Sequence, residues 1–157
     1  MLSRRTLLPS NLYAASQLYR DHFRASEVPR KPYLMVAVQV IAEETDAAAR
    51  RLFTTPQHRF LRLIRNQPVE LLLPVDSMEP LWQDGESAAV GNRLRAAIVG
   101  ADATVKAGLE KLVADTRADE VIVVTDTYEH ADRLQSYQRV AGIATMIEVK
   151  PLVAVRV

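Results

Sequence analysis

One stretch constrains the fold more than any other: Tyr33-Leu34-Met35-Val36-Ala37-Val38-Gln39-Val40-Ile41, nearly all apolar and rich in β-branched side chains. A strand facing water on one side alternates apolar with polar residues, and this one does not. Such a run belongs in a sheet buried on both faces, as in parallel sheets covered by helices. Glu120-Val121-Ile122-Val123-Val124-Thr125 repeats the pattern in shorter form. The two runs are expected to lie parallel in one sheet.

Helical spacing fills the intervals. Leu12, Ala15, Tyr19 and Phe23 follow Ser10, a suitable N-cap, in a helix expected to end near Arg24. Pro29 and Pro32 then enforce an extended connector. Thr45 or Asp46 caps a long helix with Ala49, Leu52, Phe53, Phe60, Leu63 and Ile64 on one stripe. Pro56 lies on that stripe and is expected to kink or split the helix. Three prolines between residues 67 and 82 indicate a surface excursion, and residues 86–97 a further helix weakened by Gly91. Asp102 is the expected N-cap of a helix carrying Val105, Leu109, Leu112 and Val113. Ala131, Leu134, Tyr137 and Ala141 mark a last helix, with Gly142 as its stop. This alternation is the rhythm of an α/β fold. The tail from Met146 to Val157 has strand character interrupted by Pro151, and reads equally as an edge strand, a partner-binding arm or disorder.

Composition excludes several classes of function. The chain has 157 residues, enough for one domain, and no cysteine, which removes disulfides, thiolate nucleophiles, zinc fingers and iron–sulfur ligation. Its net charge of +1 gives no general reason to expect nucleic acid. No run approaches the roughly 20 apolar residues of a membrane span, and the start is too short for a signal segment. A cytoplasmic location is expected, with no membrane or nucleic-acid partner.

Chemistry-bearing motifs are sparse. No Gly-rich phosphate loop, H-E-x-x-H or G-x-S-x-G is present. His22, His58 and His130 share no metal-ligand spacing, and His22 and His58 read as solvated helix histidines. Arg51, Arg59, Arg62 and Arg65 form one helix face; tracking a phosphate backbone is one reading, but the balanced charge favours a solvated face. Thr125, Asp126, Tyr128 and His130 stand where a buried strand turns into a helix, the usual ligand position in α/β proteins. There Asp126 or Thr127 caps the helix and Tyr128 covers the strand end, or the group faces a ligand.

The chain also resembles a known family. The resemblance is carried by Leu18-Tyr19-Arg20-Asp21-His22-Phe23-Arg24, Lys31-Pro32-Tyr33-Leu34-Met35-Val36, Ala47-Ala48-Ala49-Arg50-Arg51-Leu52 and Phe60-Leu61-Arg62-Leu63-Ile64-Arg65. It continues through Val99-Gly100, Thr104-Val105, Gly108-Leu109-Glu110 and Ala118-Asp119-Glu120-Val121, and closes on Tyr128-Glu129-His130-Ala131 and Arg133-Leu134-Gln135-Ser136-Tyr137. These stretches are similar to the C-terminal part of the bacterial luciferase-like, flavin-dependent monooxygenases. Their order and spacing make the likeness fairly specific. Residues 1–10 are unassigned, residues 11–142 correspond to part of a TIM-type (β/α)8 barrel, and residues 143–157 form the apolar tail.

The resemblance implies an oxidoreductase fold whose full-length members use reduced FMN and molecular oxygen. A complete barrel needs about 250 residues, so this chain holds an incomplete one. The two secure strands correspond to the seventh and eighth. Gly100-Ala101-Asp102 departs from the family's common Gly-Ser-Pro, and most of the flavin phosphate positions belong to the part without counterpart here. Thr125, Tyr128 and His130 are the candidate cofactor-binding residues, and no residue is assigned as catalytic. Three functions follow: a fragment or remnant of such a monooxygenase, a non-catalytic oligomeric or flavin-sequestering protein on the same partial barrel, or, more weakly, a nucleic-acid or anion-binding module using the arginine face. A second copy is the expected partner, since two strands cannot satisfy their own edges.

Overall fold

The computed structural model describes residues 9–26, 31–147 and 154–156. The chain runs α1 (Pro9–Asp21), β1 (Met35–Glu43), α2 (Asp46–Ile64), a 3-10 turn (Glu79–Leu81), α3 (Glu86–Arg93) and β2 (Ile98–Ala101). It continues through α4 (Asp102–Thr116), β3 (Glu120–Val124), α5 (His130–Thr145) and β4 (Ala154–Arg156). All strand pairs are parallel, in the order β2-β1-β3-β4. The two secure strands are therefore neighbours, with Met35 opposite Glu120 and Gln39 opposite Val124. On its other side β1 pairs Val40 with Ile98 and Glu43 with Ala101.

The strand order explains where the helices go. Parallel crossovers are right-handed, so reversing direction across the sheet sends successive helices to opposite faces. The even face of β1, with Val36, Val38, Val40 and Ala42, joins Val121 and Val123 under α4 and α5 through Val105, Leu109, Leu112, Val140 and Ile143. The odd face meets α2 at Ile41, against Ala49 and Leu52, with Val99 packed alongside. Below that level it is uncovered: Met35 is 49% exposed, Val124 39%, and Ala37 is exposed too. Burial on both faces thus holds for the C-terminal half of β1 and fails for its N-terminal half, because α2 reaches only the upper face.

Several local expectations are corrected. α1 begins at Pro9 and ends at Asp21, so Ser10 lies inside it. Pro56 does not split α2, which runs unbroken from Asp46 with Thr45 as N-cap. The two hydroxyls just before it tie the helix to the excursion: Thr55 donates to the Leu72 carbonyl at 2.8 Å, and Thr54 accepts the Val75 N–H at 2.9 Å. Leu63 and Ile64 are exposed although they sit on the expected stripe. β2 was no predicted strand, and α4 packs onto it so closely that a Cβ on Gly108 would lie 2.6 Å from Ile98. Asp102 is the first residue of α4 rather than its cap, which is Ala101. Gly142 lies within α5, whose buried residues are Ser136, Val140 and Ile143, while Leu134 is exposed. Of the tail, residues 154–156 pair with β3 as an edge strand, and residues 148–153 and 157 lie outside the described residues. No helix among the described residues is long and apolar enough to cross a membrane.

Candidate functional site

The C-terminal ends of β1 and β3 flank the point where strand order reverses, the position at which open α/β sheets bind ligands. β3 ends at Val124, and the chain turns through residues 125–129 into α5. Thr125 is 3% exposed; its hydroxyl donates to the Val40 carbonyl at 2.8 Å and its N–H to the Tyr137 hydroxyl at 3.2 Å. Both of its polar groups therefore lock β3 to β1 and α5. Asp126 accepts from Arg59 at 2.8 Å, and Arg133 donates to the carbonyl of buried Thr127 at 3.0 Å. α5 is capped by Glu129 without a side-chain bond, so neither Asp126 nor Thr127 caps it. Tyr128, Glu129 and His130 are exposed, and they are what this loop offers to solvent.

Across the rim, the ends of β1 and β2 close on each other. The Ala101 N–H donates to Asp46 Oδ1 at 2.7 Å, at the N-terminus of α4. That bond and the Thr104 hydroxyl hold the Asp46 carboxyl below the usual carboxylate range, with the field of Arg50 adding to them. A Cβ on Gly100 would come within 2.5 Å of Asp46 Oδ1 and 2.6 Å of Thr104, so the space glycine leaves is filled by these two side chains. Arg139 donates to Asp102 at 3.1 Å and pairs with Glu44 at 3.4 Å, and the Ser136 hydroxyl accepts the Ala42 N–H at 3.0 Å. The chain's own acid thus occupies the helix end that an anion would otherwise favour. Sequence spacing gave no signal for Asp46, Ser136 or Arg139 in these roles, because their partners lie tens of residues away.

The arginine face of α2 is not simply solvated. Arg51 pairs with Asp76 at 2.9 Å, Arg59 with Asp126 at 2.8 Å, Arg62 with Glu70 at 3.6 Å and Arg65 with Glu86 at 2.7 Å. Each guanidinium clamps α2 to the excursion, α3 or the rim loop, and its charge is already matched. His58, read as solvated, is half-buried; burial and then the charges of Arg62 and Arg65 push its pKa down. His22 Nδ1 contacts the Leu18 carbonyl at 3.0 Å on the exposed side of α1. No cluster of metal-ligating side chains occurs among the described residues.

Comparison with known proteins gives this geometry a context. No family model matches the chain. An uncharacterized Bacillus subtilis protein, YvbT, is 42% identical over 135 residues, which are 86% of this chain and 40% of that protein. An Escherichia coli protein named luciferase-like monooxygenase is 35% identical over 83% of this chain and 39% of its own length. The crystal structure of apo-MsnO8 superposes with a TM-score of 0.75 at 28% identity, covering 88% of this chain and 42% of that one. The chain spans about two-fifths of the length of the relatives it matches. Its relatives at 35% identity over 83% of this chain are named luciferase-like monooxygenase, and the match is consistent with the C-terminal part of that family.

Proposed function

We propose that this chain is the C-terminal portion of a (β/α)8 barrel of a flavin-dependent monooxygenase, with β1, β2 and β3 as three of its strands; β2 intervenes between the two runs expected as the seventh and eighth strands, so these are not successive. The observation that carries the reading is the half-covered odd face of β1 in a chain spanning 39% of the E. coli relative. The all-parallel sheet with helical crossovers agrees with it, whereas the order β2-β1-β3 departs from a barrel, in which β1, β2 and β3 would follow one another around the sheet. Residues 11–142 form the barrel portion, α5 carries it on to Thr145, and the tail adds its strand at the β3 edge.

The residues present do not build a site for the phosphate of FMN. The α4 end is closed by Asp46, the cleft at Gly100 is filled, and Thr125 spends both polar groups internally. Tyr128 and His130 remain as rim residues that a bound flavin or substrate would meet in a larger assembly. Titration of FMN into the purified chain, followed by calorimetry, tests this directly. Binding weaker than micromolar is expected, because two net hydrogen bonds of about 0.5–1.5 kcal/mol each do not offset the cost of association. A one-to-one complex with a Kd at or below micromolar would contradict it and make His130→Ala the first variant to examine. The exposed sheet face favours a second reading, a non-catalytic oligomer or flavin-sequestering protein, in which a further copy of the chain covers that face. Bound flavin without turnover would favour the sequestering form.

A further inference from the structure

We propose that the cavity walled by α2, the segment 76–82 and α3 is a binding site for a planar aromatic molecule with an anionic edge. It is separate from the rim loop of Thr125, Tyr128 and His130, none of which lines it, and the proposal does not rest on the family reading.

The cavity measures about 520 Å³, within the range of sites that hold small molecules. One wall is a single helix face, since Arg50, Phe53, Thr54 and Gln57 follow the i, i+3, i+4, i+7 spacing on α2. Phe53 and Trp82, both half-buried, with buried Met78 and Leu94, belong to one apolar cluster that supplies the aromatic and apolar part of the lining. Flat rings gain most from such surroundings.

The polar part of the lining is rich in donors. Arg50, Gln57 and Trp82 all donate, and among the described residues none of their side chains is already engaged in a hydrogen bond. The Asp76 carboxylate, by contrast, takes the Arg51 Nε at 2.9 Å, so its charge is matched. Glu79 on the 3-10 turn and Arg50 on α2 are both exposed, so water screens both charges. Arg50, exposed and in the field of Asp46 one turn away, is the one cation in the lining and makes no side-chain hydrogen bond among the described residues.

Gly91 offers a position from which the cavity can be filled. It lies inside α3, where glycine weakens the helix, yet a Cβ there would meet nothing within 4 Å. No close approach demands glycine at this position. Gly91 is exposed at the cavity's edge, so a larger side chain there can be accommodated by the helix and would reach into the space it lines.

Trp82 is the chain's single tryptophan and therefore a built-in reporter. The test titrates the full-length chain with 8-anilinonaphthalene-1-sulfonate, a planar aromatic anion, and follows quenching of Trp82 fluorescence. Saturable one-to-one quenching is expected. Gly91→Leu, which fills the cavity, should weaken it at least about tenfold, and Arg50→Gln about fivefold, with far-UV circular dichroism unchanged. Wild-type affinity in either folded variant overturns the proposal and places the dye on other apolar surface, such as the open sheet face. Absence of saturable quenching overturns it as well. Should Gly91→Leu fail to fold, Arg50→Gln decides alone by the same criterion.

Discussion

Gly100 is where the rim is tightest, and it carries the sharpest single-residue prediction. Its Cβ would meet Asp46 Oδ1 at 2.5 Å and Thr104 at 2.6 Å, and Asp46 cannot swing away without releasing the Ala101 N–H. Gly100→Ala is expected to destabilise by about 1–3 kcal/mol, measured by urea denaturation. Asp46 itself should shape the acid limb of stability. The Ala101 N–H, then the Thr104 hydroxyl, lower its folded pKa, so its contribution is complete above the ordinary carboxylate range and drains as pH falls below about 4. Between pH 5 and pH 3 the native chain should therefore lose stability more steeply than Asp46→Asn; parallel curves would remove the role. Thr125→Val keeps the shape and deletes a buried bond, and should cost about 1 kcal/mol by the same denaturation assay. The address of the Thr125–His130 loop was legible from the strand-to-helix transition. The inward turn of Thr125 was not, because its acceptor, the Val40 carbonyl, is backbone on another strand.

Elements were legible in proportion to how completely they are buried. β1 and β3 declared themselves as unbroken apolar runs, and their parallel pairing matches the expectation. β2 has four residues, two of them Gly and Ala, and a pattern that short has no period to read. α5 misled for a different reason. Its buried face runs Ser136, Val140, Ile143, at i, i+4 and i+7, and begins with a polar residue. Ser136 is inside because its hydroxyl accepts the Ala42 N–H, a need that arises from β1 and not from α5. α2 shows the cost of a misplaced proline absorbed by tertiary contacts. Pro56 is fully buried and the helix continues through it. Pro56→Ala restores an N–H to the helix ladder, and the gain of about 3 kcal/mol should exceed the lost packing, raising stability by about 1 kcal/mol in thermal or chemical melts. A lower melting temperature would show that the ring's packing outweighs the missing hydrogen bond.

At the scale of the whole molecule, coverage of the sheet is uneven. One face is sealed by α4 and α5, while the other is sealed only where α2 reaches Ile41. Tyr33 at 46%, Met35 at 49% and Val124 at 39% exposure, with Ala37 between them, leave an apolar band on the uncovered side. Surfaces of this kind mark contacts with another polypeptide. In the relatives that share this segment, about three-fifths of the length lies beyond it, ample to complete such a face. Here a second copy is the proposed cover. A charge in the band should oppose it, so Val124→Lys is expected to shift the chain toward monomer without loss of helix content. The central claim is that this is part of a barrel whose open sheet face must be covered, and sedimentation velocity across the micromolar range addresses it most directly. The account predicts concentration-dependent association into dimers or larger species. A single compact monomer over the whole range would contradict it.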